Sequence, residues 1–150
     1  MRTSFQRKKD FLVIAADTDT LLTQDGSAMS EDAARTLDSI SQVADIVVFA
    51  KQGLNTKLFM PLCGKITFLH MQQTLDKSVC VNRLLTHEYI KAHVLIVGAQ
   101  NEDAQAAKKT GTLYYSTDCG WGRLLEEALP KLLHGTYKGA YNNTMLNREK

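Results

Sequence analysis

The 150-residue chain is poor in proline, with two, and in cysteine, with three. So little proline excludes collagen-like and proline-rich sequences. Cys63, Cys80 and Cys119 are odd in number and widely spaced, with no CxxC or histidine pairing at zinc-finger intervals, which excludes a disulfide framework and a small zinc module. Neither sign of charge dominates: 18 basic residues stand against 16 acidic ones, for a net charge of +2. That balance gives no long-range field to attract nucleic acid or a membrane surface. Long apolar runs are missing too. The run beginning at Phe11 meets Asp17 and Asp19 within a few residues, too soon for a secretory segment or a membrane span. The expectation is a protein of the cytoplasm with reduced thiols and with neither nucleic-acid nor membrane partners.

What is present describes one globular domain, 44% hydrophobic and 23% charged. A domain of this length buries roughly two-thirds of its unfolded surface and needs no metal or disulfide to be stable. Short, β-branched, nearly continuous apolar runs recur at Phe11 to Ala16, Ile46 to Ala50, Ile66 to His70, His93 to Gly98 and, more weakly, Thr112 to Ser116. Such runs read as buried parallel strands.

Helical segments alternate with them. Ser30 can cap a helix with Glu31 and Asp32 in its positive first turn and with Ala33, Leu37, Ile40 and Val43 or Ala44 inward. A second helix is predicted within Leu54 to Leu62, ended by Pro61 and Gly64. A third runs from about Asp76 to Tyr89, and a fourth from about Glu102 to Lys109, stopping at Gly111. This alternation predicts a three-layer α/β fold, a doubly wound parallel sheet with ligands at the carboxyl ends of the strands.

Trp121, Leu124, Leu125, Ala128, Leu129, Leu132 and Leu133 form a last apolar stripe at helical spacing. Pro130 lies inside it and should bend or interrupt the helix. Residues 1–134 therefore read as a single domain, and residues 135–150 as a polar tail, mobile or docked on a partner.

The chemistry-bearing feature is Asp17-Thr18-Asp19, directly after the first strand. Carboxylates at alternate positions leaving a strand end can converge on a divalent cation or act as nucleophile and general acid. A solvated turn is the plain alternative. There is no GxxxxGK loop and no GxGxxG fingerprint, which removes support from nucleotide-binding versions of the fold.

Four stretches occur in order: Ala16-Asp17-Thr18-Asp19-Thr20-Leu21-Leu22, then Ile46-Val47-Val48-Phe49-Ala50, then Leu75-Asp76-Lys77, then Val94-Leu95-Ile96-Val97-Gly98-Ala99 through Asp103. Their succession over residues 11 to 117 resembles the haloacid dehalogenase (HAD)-like phosphohydrolases. That family has DxDx(T/V) after one strand, Ser or Thr after a second, a Lys at a helix start and GDxxxD after a later strand. The resemblance implies a Rossmannoid sheet with the first strand central. It implies Asp17 as nucleophile, Asp19 as general acid and base, and Lys77 as the group that steadies negative charge. It further implies Mg²⁺ held by Asp17, Asp19 and Asp103, and a phosphorylated small molecule as substrate. The short connections before the first helix and before Lys77 leave no room for a large cap. DTDTLLTQDG and LDK are similar to the capless sugar-acid phosphatases of the 3-deoxy-manno-octulosonate 8-phosphate type, which close their sites by forming homo-oligomers.

Three positions depart from the pattern. Leu21 stands for Thr or Val, Ala50 for the phosphate-binding hydroxyl and Ala99 for a metal-binding carboxylate. Losing one donor aimed at transition-state charge costs about 3 kcal/mol, roughly a hundredfold in rate. Both alanines are expected at a solvent-facing strand edge. The departures keep a second class of function open: a catalytically silent domain, a pseudoenzyme acting by binding a protein or a phosphorylated ligand. Lys51 and His70 also belong near the strand ends, where a solvated lysine and a hydrogen-bonded structural histidine are the simpler readings. The cysteines have no neighbouring base and read as packing or incidental residues. A response-regulator receiver competes on topology, but His70 and Thr117 stand where it would need Asp and Lys.

Overall fold

The structure, a computed structural model, describes residues 7–50, 55–71 and 76–139. Lys51, Leu54, Leu75 and the tail beyond residue 139 lie outside the described residues. Five strands, β1 (Phe11–Ala15), β2 (Ala44–Ala50), β3 (Thr67–His70), β4 (Val94–Gly98) and β5 (Leu113–Ser116), pair in parallel in the order β3-β2-β1-β4-β5. β1 is central, as the resemblance implied. This order differs from the 2-1-3-4-5 order of receiver domains, which removes that competitor.

Strict alternation along each strand builds two cores. Val13 and Ala15 of β1, Ile46 and Val48 of β2, and Leu95 and Val97 of β4 enter one core with α1 (Glu31–Ile40) and the C-terminal helical segment. Leu12, Ile14, Val47, Phe49, Val94 and Ile96 enter the other with α2 (Lys77–Leu85) and α3 (Asn101–Thr110). Both faces of the sheet are covered, which is why its central strands β1 and β4 are apolar throughout. Each fully buried Leu, Ile or Val contributes roughly 1.5 to 3 kcal/mol of transfer free energy.

The helix ends follow local chemistry. At α1 the Ala33 N–H donates to Ser30 Oγ at 3.3 Å, and Ala33, Leu37 and Ile40 are buried, whereas Val43 is exposed. At α2 the Ser78 N–H donates to Asp76 Oδ1 at 2.9 Å, so Asp76 is the cap and Lys77 the first helical residue. α2 ends at Leu85 rather than continuing to Tyr89, and the turn beyond it puts Glu88 at φ 72°. α3 ends on Gly111 at φ 74°, a left-handed conformation that glycine adopts without strain.

Proline accounts for two differences from the expected helices. Thr56–Leu62 forms 3₁₀ turns with a kink at Phe59 instead of an α-helix. Pro61 supplies no N–H, and so short a segment cannot repair the loss. Around Pro130 the helix does not break. α4 (Trp121–Arg123) runs into a π-helical turn at Leu124–Ala128 and then into α5 (Leu129–Leu133), so the proline falls at the start of a new α segment, where its missing N–H matters least.

The segment after His134 also differs from a detached tail. Tyr137 is buried in the core, and its hydroxyl donates to the Tyr114 carbonyl at 2.7 Å. The packed body therefore extends past residue 134. Among the described residues no helix is long and apolar enough to cross a membrane.

Candidate functional site

β1 and β4 are neighbours in register, with Ala15 opposite Val97, and the Ala16 N–H donates to the Val97 carbonyl at 2.9 Å. Their two exit turns consequently lie on one edge of the sheet. Asp17 to Asp19 leave β1, and Gly98 to Asp103 leave β4.

Asp17 is buried and extended, and it caps the 3₁₀ turn Thr18–Leu21 by accepting the Asp19 N–H on Oδ1 at 3.1 Å. Thr20 Oγ1 donates to the Asp17 carbonyl at 2.8 Å. These bonds fix the backbone while Asp19 remains exposed. Leu21 is fully buried in the core shared with α1, so the residue that departs from the family pattern acts here as an apolar anchor for the turn.

The exit from β4 is closed around Asp103, which has no exposed surface. Its Oδ1 accepts from Lys77 Nζ at 2.5 Å, and its Oδ2 accepts the N–H groups of Ala99 and Gln100, each at 3.2 Å. Gly98 makes that packing sterically feasible: a Cβ at this position would lie 2.4 Å from Asp103 Oδ2 and 2.7 Å from its Cβ. Lys77 Nζ also meets Glu102 Oε1 at 3.3 Å. Burial alone would lower the Lys77 ammonium, but the hydrogen bond and charge of Asp103, with Glu102 behind them, outweigh it and raise the group above its ordinary value.

The residues singled out in the sequence thus form two pairs on one edge. Asp17 and Asp19 are joined through a backbone N–H, and Lys77 and Asp103 through an ion pair. Among the described residues, no group of three or more Asp, Glu, His or Cys side chains gathers as a metal cluster. The donor set still suits a hard cation at the β1 exit, because Mg²⁺ is commonly held by one or two carboxylates, with water and substrate oxygens completing its shell. Asp17 and Asp19 fit that description. Asp103 is instead fully buried, with Lys77 on one oxygen and two amide N–H groups on the other.

Ala50 is the last residue of β2 and fully buried, with its carbonyl accepting the Met71 N–H at 2.9 Å. Only Ala99 of the two departing alanines faces solvent, so the expectation of two solvent-facing positions is corrected: a hydroxyl at position 50 would enter packed surroundings. His70 ends β3 opposite Ala50 and is exposed. Burial raises the thiols of Cys80 and Cys119, consistent with their reading as packing residues. Glu102 and Gly98 carry roles that were not singled out in the sequence. A glycine five residues before a buried acid at a helix start was the available signal.

No family model matches the chain, and neither does any curated protein. Among solved structures, a hydrolase of the haloacid dehalogenase-like family from Streptococcus pneumoniae superposes with a TM-score of 0.50 at 13% identity, covering 81% of this chain and 59% of that one. The fold is HAD-like. The chain spans less than two-thirds of the length of that hydrolase. A second solved chain, 11% identical over 94% of each chain with a TM-score of 0.49, is too distant to add to the fold assignment. The β1 exit carries Asp17 and Asp19, while the β4 exit carries Ala99 and the buried Asp103.

Proposed function

We propose that this HAD-like domain is a phosphomonoester hydrolase with a weakened hold on its metal. The observation that carries this reading is the intact Asp17-Thr18-Asp19 turn at the end of the central strand, beside a lysine already fixed by Asp103. A carboxylate oxygen of Asp17 attacks phosphorus, the ester P–O bond breaks, and Asp19 gives its proton to the leaving oxygen. Asp19 then takes a proton from water, whose oxygen attacks phosphorus and releases phosphate and the Asp17 carboxylate. Lys77 steadies the negative charge, and Asp103 positions Lys77. Mg²⁺ held by Asp17 and Asp19 would supply charge neutralisation for the phosphate and the attacking carboxylate.

Residues 16–30 hold a 3₁₀ turn and a Leu22–Met29 bridge, and His70 is followed closely by α2 at Lys77, so neither connection contains a cap domain. This supports the capless reading; a sugar-acid phosphate as substrate, closure of the site by a second copy of the chain and a cytoplasmic setting are proposed with it from the resemblance alone.

Hydrolysis of a panel of phosphate monoesters with Mg²⁺ tests the proposal. Slow turnover that disappears in Asp17→Asn is expected, and Ala99→Asp should raise it about tenfold, or about 1.4 kcal/mol of barrier. Turnover equal to that of Asp17→Asn rejects it. The second reading, a silent domain that binds a protein or a phosphorylated ligand, is favoured by one observation: Asp103 is fully buried against Lys77 and two amide N–H groups, and Ala99 beside it offers no carboxylate.

A further inference from the structure

At the opposite edge of the sheet, where β2 and β3 begin, lies a cavity of about 160 Å³. Lys8, Lys9, Lys65, Asp45 and Thr67 are among its walls. The segment carrying the first two lysines is clamped onto the domain. The N–H groups of Lys8 and Lys9 donate to Asp45 Oδ2 at 2.9 and 3.0 Å, and Tyr89 Oη donates to the same oxygen at 2.6 Å. Arg7 adds a hydrogen bond to the Glu88 carbonyl at 3.1 Å, lies 5.3 Å from the centre of the Tyr89 ring, and pairs with Asp10 at 2.7 Å. Asp45 Oδ2 thus accepts from three donors, and Lys65 pairs with Asp38. No hydrogen-bond or ion-pair partner is shown for the Lys8 and Lys9 ammonium groups among the described residues.

Lys8, Lys9 and Lys65 line a small polar cavity, and the backbone carrying the first two is held in place, which removes part of the entropic cost of binding an anion there. The volume corresponds to the liquid share of about five water molecules, far below the roughly 300 Å³ and more of drug-sized sites. We infer that this cavity binds a small multivalent oxyanion of the phosphate or pyrophosphate class, apart from the strand-end site and independently of whether that site turns over.

Titration of the full chain with pyrophosphate at constant ionic strength, followed by amide NMR, tests the inference. Saturable shifts at residues 8, 9, 65 and 67 are expected. Lys8→Gln with Lys9→Gln should weaken the binding at least tenfold without lowering the melting temperature, since both side chains are exposed, while Lys57→Gln, outside the cavity, should leave it unchanged. Non-saturating shifts, equal weakening by Lys57→Gln, or shifts centred on residues 17–20 and 99–103 would each overturn it.

Discussion

The turn leaving β1 and the turn leaving β4 sit side by side, yet they treat their carboxylates in opposite ways. At β4 both oxygens of Asp103 are engaged, its charge is matched by Lys77, and Gly98 removes the side chain that would collide with it. At β1, Asp17 uses an oxygen to hold its own turn, and Asp19 stays exposed. A closed turn of this kind contributes to stability and fixes geometry. The β1 turn is held by its capping aspartate and still presents an exposed acid. On the proposed reading, the two exits of a single sheet edge divide structural and reactive duties.

The largest expected effect comes from breaking the closed turn. Lys77→Met leaves Asp103 buried without its cation, and loss of one partner of a buried pair costs roughly 3 to 5 kcal/mol. Urea unfolding at neutral pH measures it. Gly98→Ala forces a Cβ against Asp103 and should cost about 1 to 3 kcal/mol by overpacking. At the open turn, Asp19→Asn should change stability by no more than about 0.5 kcal/mol, while abolishing any turnover. A large destabilisation by Asp19→Asn would remove the contrast between the turns.

Acidity sharpens the comparison with a smaller effect. The Ser78 N–H first, then Lys109 and the Ser78 hydroxyl, hold the Asp76 carboxyl at about 2, below its ordinary 3.8. A depressed carboxylate stabilises the fold above its unfolded value and loses that contribution as pH falls through the folded one. Asp76→Ala should therefore narrow the difference in melting temperature between pH 5 and pH 2. For Lys77 the sign is reversed: its raised value makes the pair's contribution complete below 10.5, and that contribution is lost as pH climbs through the higher folded value.

Much of this fold was legible in the sequence because a sheet buried on both faces requires uninterrupted β-branched runs such as Leu12 to Ile14 and Val94 to Val97. The Ser30 cap and the Gly111 stop were equally plain, being local backbone chemistry. Less visible was how proline would be absorbed, since Pro61 within a seven-residue segment yields 3₁₀ turns whereas Pro130 in a longer apolar stripe is accommodated after a π turn. Tyr137 looked like part of a polar tail because one aromatic among glycines and polar residues has no periodicity to read. In the site, Asp17 and Asp19 were legible as a motif, but the pairing of Lys77 with Asp103 was not, because the residues are 26 positions apart and only the α2–α3 packing joins them. The resemblance implied Asp103 as a metal ligand, and the structure adds its ion pair with Lys77.

The central claim, that the β1 exit is open to a cation and the β4 exit closed, is tested most directly by following the side-chain carboxyl carbons of the aspartates by NMR during a Mg²⁺ titration. Saturable shifts at Asp17 and Asp19, with Asp103 unmoved, are the predicted result. Shifts at Asp103 matching those at Asp17, or no saturable shift at Asp17 and Asp19, would contradict the account.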